Sequence, residues 1–202
     1  MKNYHCFNIE DLLDSKTNCY IGEELLKKIF SDFSCVGKND DVEYFLKEKS
    51  IEFSRKHQAI TYLVFDDDST LVGYFSVIIK PLIVSPTDKV SKTVFKKIKR
   101  IGFDYDDGFA TSAYLIAQLS KNFNVSKPNR ISGQELLNIA NSVIKKAQHD
   151  VGGTMEFIEY DASKTFLHTL YCDENNFTDF GQRETTNRAG DKITLNQALR
   201  II

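Results

Sequence analysis

The chain has 202 residues, 42% of them apolar, enough to bury the core of one sizeable domain. Its formal net charge of −2 excludes a general electrostatic case for nucleic acid or anionic lipid, so any such contact has to be local. Cys6, Cys19, Cys35 and Cys172 are far apart, and neither they nor His5, His57, His149 and His168 fall at metal-ligand spacing, so no metal is expected. No run resembles a signal peptide or reaches the length of a membrane span, and the expectation is a soluble, reduced, cytoplasmic protein without a membrane partner.

Residues 23–34 place Leu25, Leu26, Ile29, Phe30 and Phe33 on one helical stripe. Residues 40–57 repeat the pattern with Val42, Phe45, Leu46 and Phe53, and Asp40 and Asp41 suit the first turn of that helix. The period then changes. "AITYLVFD" (59–66) is short, β-branched and aromatic, "DDDST" is a turn, and "LVGYFSVIIK" (71–80) returns as the second strand of an antiparallel hairpin. Both strands are apolar on both faces, as in a sheet covered on two sides. Over 85–101, Ser85 and Pro86 read as a helix start with Asp88 in the first turn. Val90, Val94, Ile98 and Ile101 share one face, and Lys89, Lys92, Lys96, Lys97, Lys99 and Arg100 fill the other without an intervening acid. That basic face is either solvated surface or a contact for phosphates. "FDYDDG" (103–108) breaks the helix.

"ATSAYLIAQL" (110–119) is a strand and "SKNFNVSKPN" (120–129) a polar loop. The next helix carries Leu136, Leu137, Ala140, Val143, Ile144 and Ala147 on one stripe, with Ser132 as N-cap and Glu135 completing a capping box. The start of such a helix offers unpaired N–H groups and a positive dipole end. Gly133 lets a ligand approach that backbone and Arg130 adds charge, which is a physical recipe for binding phosphate. "GG" at 152–153 ends the helix. "TMEFIEY" (154–160) is a strand, and "SKTFLHTLY" (163–171) a short helix with Phe166, Leu167, Leu170 and Tyr171 inward. "KITLNQAL" (192–199) closes the sheet. The order predicts one α/β domain over 1–202, a mixed central sheet with helices on both faces, and an inserted basic helical segment at about 85–108. The strand–loop–helix unit at 110–149 is where such sheets seat ligands.

In order and motifs, residues 40–199 resemble the GCN5-related N-acetyltransferase (GNAT) family. "TYLVFDDDSTLVGYFSV" (61–77) resembles its hairpin, "AYLIAQLSKNF" (113–123) its cofactor strand, "GQELLNIA" (133–140) the helix after the cofactor loop, and "FIEYDASKTFLHTLYCDENNF" (157–177) its last strand and helix. The hairpin and "YLIAQLSKNF" are similar to the branch of small bacterial tRNA-acetylating toxins. The resemblance implies an acyl-CoA N-acyltransferase-like fold and an enzyme moving the acetyl group of acetyl-coenzyme A, as co-substrate, to a primary amine by direct attack. It places Gln118, Leu119 and Ser120 along the pantothenate arm and Arg130, Ile131, Ser132, Gly133 and Gln134 at the pyrophosphate, mostly through backbone.

Two departures stand out. The family's glycine-rich loop here reads "KPNRISG", keeping only Gly133. Tyr171 meets the family's thiolate-protonating tyrosine only if one residue is inserted before Phe177; otherwise Cys172 stands there. Glu156 and Glu159 are candidates for the general base, and their odd separation puts them on opposite strand faces. The acceptor is an amine-bearing molecule. The basic helix argues for tRNA, the toxin branch implies an antitoxin partner, and a homodimer is a further expectation. The other reading is a binding module that keeps the fold without catalysis.

Overall fold

The computed structural model describes residues 2–85 and 91–202. The expected helix start at Pro86 and Asp88, with Lys89 and Val90, lies outside them. In chain order the elements are β1 (Tyr4–Asn8), α1 (Ile9–Leu13), α2 (Glu23–Ser31), α3 (Asp40–Tyr44), α4 (Ser50–Arg55), β2 (Ile60–Asp66) and β3 (Leu71–Val84). There follow α5 (Lys92–Ile101), β4 (Phe103–Tyr105), β5 (Gly108–Lys121), α6 (Gly133–Val151), β6 (Met155–Asp161), α7 (Thr165–His168), β7 (Thr178–Thr186) and β8 (Lys192–Ile201). The strands form one mixed sheet in the order β1-β2-β3-β5-β6-β8-β7, with β4 on β5, which is the α/β architecture expected. The chain clusters into two compact units, Met1–Ile78 with Ala117–Ser142 and Ile79–Ile116 with Val143–Ile202, and β3, β5 and α6 each run from one into the other.

In the first unit the hairpin closes as its residues dictate. Asp66 Oδ1 accepts the amides of Asp68 (3.1 Å) and Thr70 (2.9 Å), a side-chain turn that reverses the chain between two β-branched runs. β2 then pairs antiparallel with β3, and β1 adds to the far side of β2 from Tyr4↔Asp66 to Asn8↔Tyr62. Leu63 and Tyr74 from this sheet pack with Ile9, Leu26, Phe30 and Leu46 into one apolar cluster. Tyr74 is fully enclosed and donates its hydroxyl to the Val42 carbonyl at 2.6 Å, so its one side-chain polar atom is satisfied. Leu25, assigned by its spacing to the inward stripe of α2, is instead 46% exposed; Leu26 and Phe30 fill the inner arc and leave Leu25 at its rim. The helix expected over 40–57 starts on the Asn39 cap, and a π-turn at Phe45–Lys49 divides it into α3 and α4.

In the second unit β5 and β6 run parallel, in register from Ala113↔Met155 to Ile116↔Ile158, as strands joined by a helix can. β6 pairs with β8 and β8 with β7, both antiparallel. The turn before β6 needs its glycines: Gly153 has φ +108°, and a Cβ there would come within 2.7 Å of the Tyr114 ring. Tyr114 in turn donates its hydroxyl to the Gly152 carbonyl. α5 begins on Ser91, whose side chain accepts the Val94 amide at 3.2 Å; Ile98 is buried, but Ile101 is exposed rather than on an inner face. The breaker "FDYDDG" is itself a strand and turn, with Phe103 opposite Ala110. Phe166, expected inward, is exposed, because α7 lasts one turn before a π-turn at Thr169–Asp173 shifts the phase. Among the described residues no helix is long and apolar enough to cross a membrane.

Candidate functional site

The cofactor segment expected from the sequence lies within the first unit. Gln118, Leu119 and Ser120 are half-buried at the end of β5, beyond the last pair it forms with β6. Gln118 Oε1 is enclosed with no hydrogen-bond partner among the described residues, an orphaned acceptor of the kind that a ligand N–H would satisfy. Ser120 Oγ is 3.3 Å from Cys35 Sγ. The Ser120 carbonyl runs close against β3, where a Cβ on Gly73 would sit 3.1 Å from it and 3.2 Å from Leu136, so the glycine of "VGY" is what lets the strands approach here. Asn122 then anchors the loop. Its amide donates to the Val72 carbonyl (2.8 Å), its Nδ2 to the Leu71 carbonyl (2.9 Å), and its Oδ1 accepts the Ser34 amide (3.1 Å).

The loop to α6 is folded on itself. Arg130 Nη2 donates to the carbonyls of Phe123 (2.6 Å) and Val125 (2.8 Å), and its guanidinium lies 4.9 Å from the Phe123 ring centre. Carbonyls do not neutralise that charge, so Arg130 ties the loop and stays a cation within it. The Arg130 amide is already bonded to Ser126 O at 3.0 Å, and Ile131 is buried. The capping box forms as expected: Ser132 N donates to Glu135 Oε2 (2.8 Å) and Glu135 N to Ser132 Oγ (3.1 Å). The Glu135 carboxyl is held below its usual value by the Ser132 hydrogen bonds. Gly133 and Gln134 follow, half-buried in the first turn. An open cleft beside the loop is lined by Asp32, Asp66 and Asp68, the wrong sign for a diphosphate.

The carboxylates and the candidate acid belong to the second unit. Glu156 is 0% exposed and bonds Arg200 Nη2 at 2.6 Å through Oε2, while its Oε1 has no partner among the described residues. Burial raises the Glu156 carboxyl above its usual value, against the pull of Arg200. Glu159 accepts a bidentate pair from Arg183 (2.8 and 2.7 Å) and a bond from Gln197 (2.8 Å). Burial pulls its carboxyl up, the Arg183 and Gln197 bonds pull further down, and it ends below the usual range. Each of the two glutamates thus has an arginine partner.

Tyr171 is 4% exposed, with its ring packed on Tyr160 (5.3 Å between centres) and Phe177 (6.1 Å). Burial pushes its hydroxyl above the usual phenol value. It sits in the π-turn, which adds one residue to a helical turn, the kind of insertion the Tyr171 register needs. The chain then reverses at Asn176 (φ +59°), and the Phe177 amide reaches the Tyr171 carbonyl at 3.1 Å. Cys172 faces elsewhere. Its thiol is pushed up to about 11 by burial and by Asp179, despite a hydrogen bond to Tyr160 that works the other way. A thiol so high is a poor nucleophile at neutral pH. Local spacing offered no sign of Tyr160 or Asp179, which the fold brings to His168 and Cys172 from separate strands.

No protein-family model and no curated protein matches the chain. Solved structures do. AtaT complexed with acetyl-methionyl-tRNAfMet is 14% identical over 95% of this chain and 94% of its own, at a TM-score of 0.58. A variant AtaT toxin bound to the C-terminus of the antitoxin AtaR and acetyl-CoA is 12% identical over 96% and 93%, at 0.53. A probable acetyltransferase from Staphylococcus epidermidis is 14% identical over 100% and 99%, at 0.54. At these identities the likeness speaks of architecture, and it is nearly complete: along almost its whole length the chain shares the fold of these three proteins.

Proposed function

We propose that the chain is an N-acetyltransferase that moves the acetyl group of acetyl-coenzyme A to a primary amine. The observation that carries the reading is the end of the β5–β6 register at Ile116↔Ile158. Past that point β5 continues through Gln118, Leu119 and Ser120 with backbone groups that β6 does not pair, a strand edge suited to a peptide-like pantetheine arm. The unpartnered Gln118 Oε1 supports the same reading as an acceptor for an amide of that arm. At the start of α6 the Gly133 N–H has no carbonyl partner within the helix, and with the Arg130 charge nearby it suits a diphosphate. The Glu135 carboxylate on Ser132 N opposes an anion there, so cofactor affinity depends on how far that cap yields.

In the reaction the amine lone pair attacks the thioester carbonyl and a tetrahedral oxyanion forms, for which β5 backbone N–H groups are the natural donors. The C–S bond then breaks, and the coenzyme thiolate takes a proton from Tyr171, which recovers one from solvent after product leaves. Burial keeps that hydroxyl protonated at any working pH. The amine's proton leaves to solvent rather than to Glu156 or Glu159, each of which has an arginine partner. Positioning, not an unusual side chain, supplies most of the rate.

A second reading narrows the acceptor to the amine of an aminoacyl-tRNA. It is favoured by the exposed Lys92, Lys96, Lys97 and Arg100 on α5 and by the tRNA complex of the similar AtaT. On this reading an antitoxin partner and a cytoplasmic setting follow. The test is incubation of the full chain with acetyl-coenzyme A and a panel of amines, aminoacyl-tRNA among them, with free thiol and acetylated product followed together. Amine-dependent thiol release supports the proposal. Cofactor binding without turnover on any amine favours a non-catalytic binding module, and a product on small amines but not on tRNA removes the second reading.

A further inference from the structure

Three side chains from three elements of the second unit converge on the carboxylate of a fourth. Tyr160 comes from β6, His168 from α7, Cys172 from the following π-turn and Asp179 from β7. Tyr160 donates its hydroxyl to Asp179 Oδ1 at 2.9 Å and lies 3.0 Å from His168 Nδ1. Cys172 Sγ is 3.6 Å from Asp179 Oδ1, and His168 Nδ1 is 3.2 Å from Asp179 Oδ2. Asp179 has no lysine or arginine partner among the described residues, so its charge is met only by groups that could each give up a proton.

The geometry points to a divalent-cation site, of zinc chemistry, formed by His168 Nδ1, Cys172 Sγ and the Asp179 carboxylate. Tetrahedral zinc takes bonds of about 2.0–2.3 Å, which separates neighbouring ligand atoms by roughly 3.3–3.7 Å. The Asp179 carboxylate already lies at about that distance from each of the other two ligands, through Oδ1 to Cys172 Sγ and through Oδ2 to His168 Nδ1, and one ligand atom from each of the three residues lies within 4.8 Å of the others. The remaining closure is a side-chain adjustment, because His168 and Cys172 stand four residues apart on one helical face. One imidazole, one thiolate and one carboxylate form a borderline-soft set that suits zinc and disfavours magnesium or calcium. The second ring nitrogen, His168 Nε2, lies 4.0 Å from the Asp173 carboxylate, a small side-chain movement away from the orienting hydrogen bond that metal-bound histidines generally make. All three ligands are half-exposed, so an ion has a way in and a water can take the fourth position.

The ion displaces one proton from the Cys172 thiol, takes the lone pair of neutral His168 and one carboxylate oxygen, and frees the Tyr160 hydroxyl from Asp179. The result is a clamp that fastens β6, the helical turn and β7 through one ion. This site is independent of the acetyl-transfer reading and holds whether or not that reading does.

Cobalt(II) added to the chelator-treated full chain is the probe, since a cobalt–thiolate bond gives a charge-transfer band and a four-coordinate ion gives intense ligand-field bands. One equivalent is expected to produce both, zinc to abolish them by displacement, and zinc to raise Tm where magnesium does not. Cys172→Ser should remove the charge-transfer band, Cys6→Ser and Cys19→Ser should keep it, and His168→Gln and Asp179→Asn should each weaken binding at least about tenfold. Circular dichroism confirms that each variant is folded, and Asp179→Asn reports on the site even if Cys172→Ser does not fold. The proposal is overturned by a wild-type chain with no thiolate band, or by a band that survives in Cys172→Ser or is untouched in Asp179→Asn.

Discussion

Glu156 is the position where a catalytic and a structural role make opposite predictions. Its carboxylate is wholly buried against Arg200, whose side chain is 18% exposed and keeps two other contacts, the Asn175 carbonyl at 3.1 Å and the Phe177 ring at 4.4 Å. Removing the arginine therefore strands a buried charge, whereas removing the carboxylate leaves a cation that still has partners. Arg200→Met is predicted to cost about 3–5 kcal/mol near neutral pH, the usual penalty for breaking a buried pair from one side. Glu156→Gln should cost less, about 1–3 kcal/mol, because the amide can still accept from Arg200. The pH dependence follows from the direction of the shift. The folded-state value of Glu156 is raised, so the folded chain binds its proton more tightly than the unfolded chain. That contribution is fully present below the unfolded value and is lost as pH rises through the folded one. Without Arg200 the shift widens, so the deficit of Arg200→Met should be smaller at about pH 5 than at about pH 8. Urea unfolding of the three proteins at both pH values reads this directly. If Glu156→Gln instead folds like wild type and loses acetyl transfer by more than about tenfold, Glu156 is a base and this reasoning is wrong.

Three further predictions concern the proposed chemistry. Tyr171→Phe should lower kcat by about 100-fold or more and leave acetyl-coenzyme A affinity within a few fold, measured by thiol release and calorimetry; an unchanged kcat removes Tyr171 as the proton donor. Glu135→Gln retains the capping geometry and removes one negative charge from the α6 start, so acetyl-coenzyme A should bind roughly fivefold tighter, about 1 kcal/mol for unit charges ~4 Å apart in water; equal affinity would mean that the diphosphate lies elsewhere. Replacing Lys92, Lys96 and Lys97 together by glutamine should weaken tRNA binding and flatten its salt dependence, with activity on small amines retained; an unchanged salt slope would clear α5 of any role in tRNA contact.

What could be read from the residues was mostly local. The β2–β3 hairpin follows from two β-branched runs around an Asp-rich turn, and the Ser132–Glu135 box from a spacing of three. β7, "TDFGQRETT", is not legible in the sequence because it is mostly polar and is held through β8, so its residues carry no apolar alternation. β1 is short and lies at the sheet edge, which hides it in the same way. The π-turns were invisible for a different reason. They keep helical composition and add one residue, which is why the stripe drawn through Phe166 and Tyr171 was right at one end and wrong at the other. The partners of Glu156 and Glu159 and the group around Asp179 depend on pairing distant strands, and no spacing within one segment encodes them.

The central claim is that the end of β5 and the start of α6 hold acetyl-coenzyme A. Thermal unfolding of the full chain across a range of acetyl-coenzyme A concentrations tests it most directly, because a ligand at about 100 times its Kd stabilises the fold by about 2.7 kcal/mol. A Tm that climbs with the logarithm of cofactor concentration is expected, with a smaller rise in a Gly133→Val variant. A Tm that stays flat to millimolar acetyl-coenzyme A would contradict it.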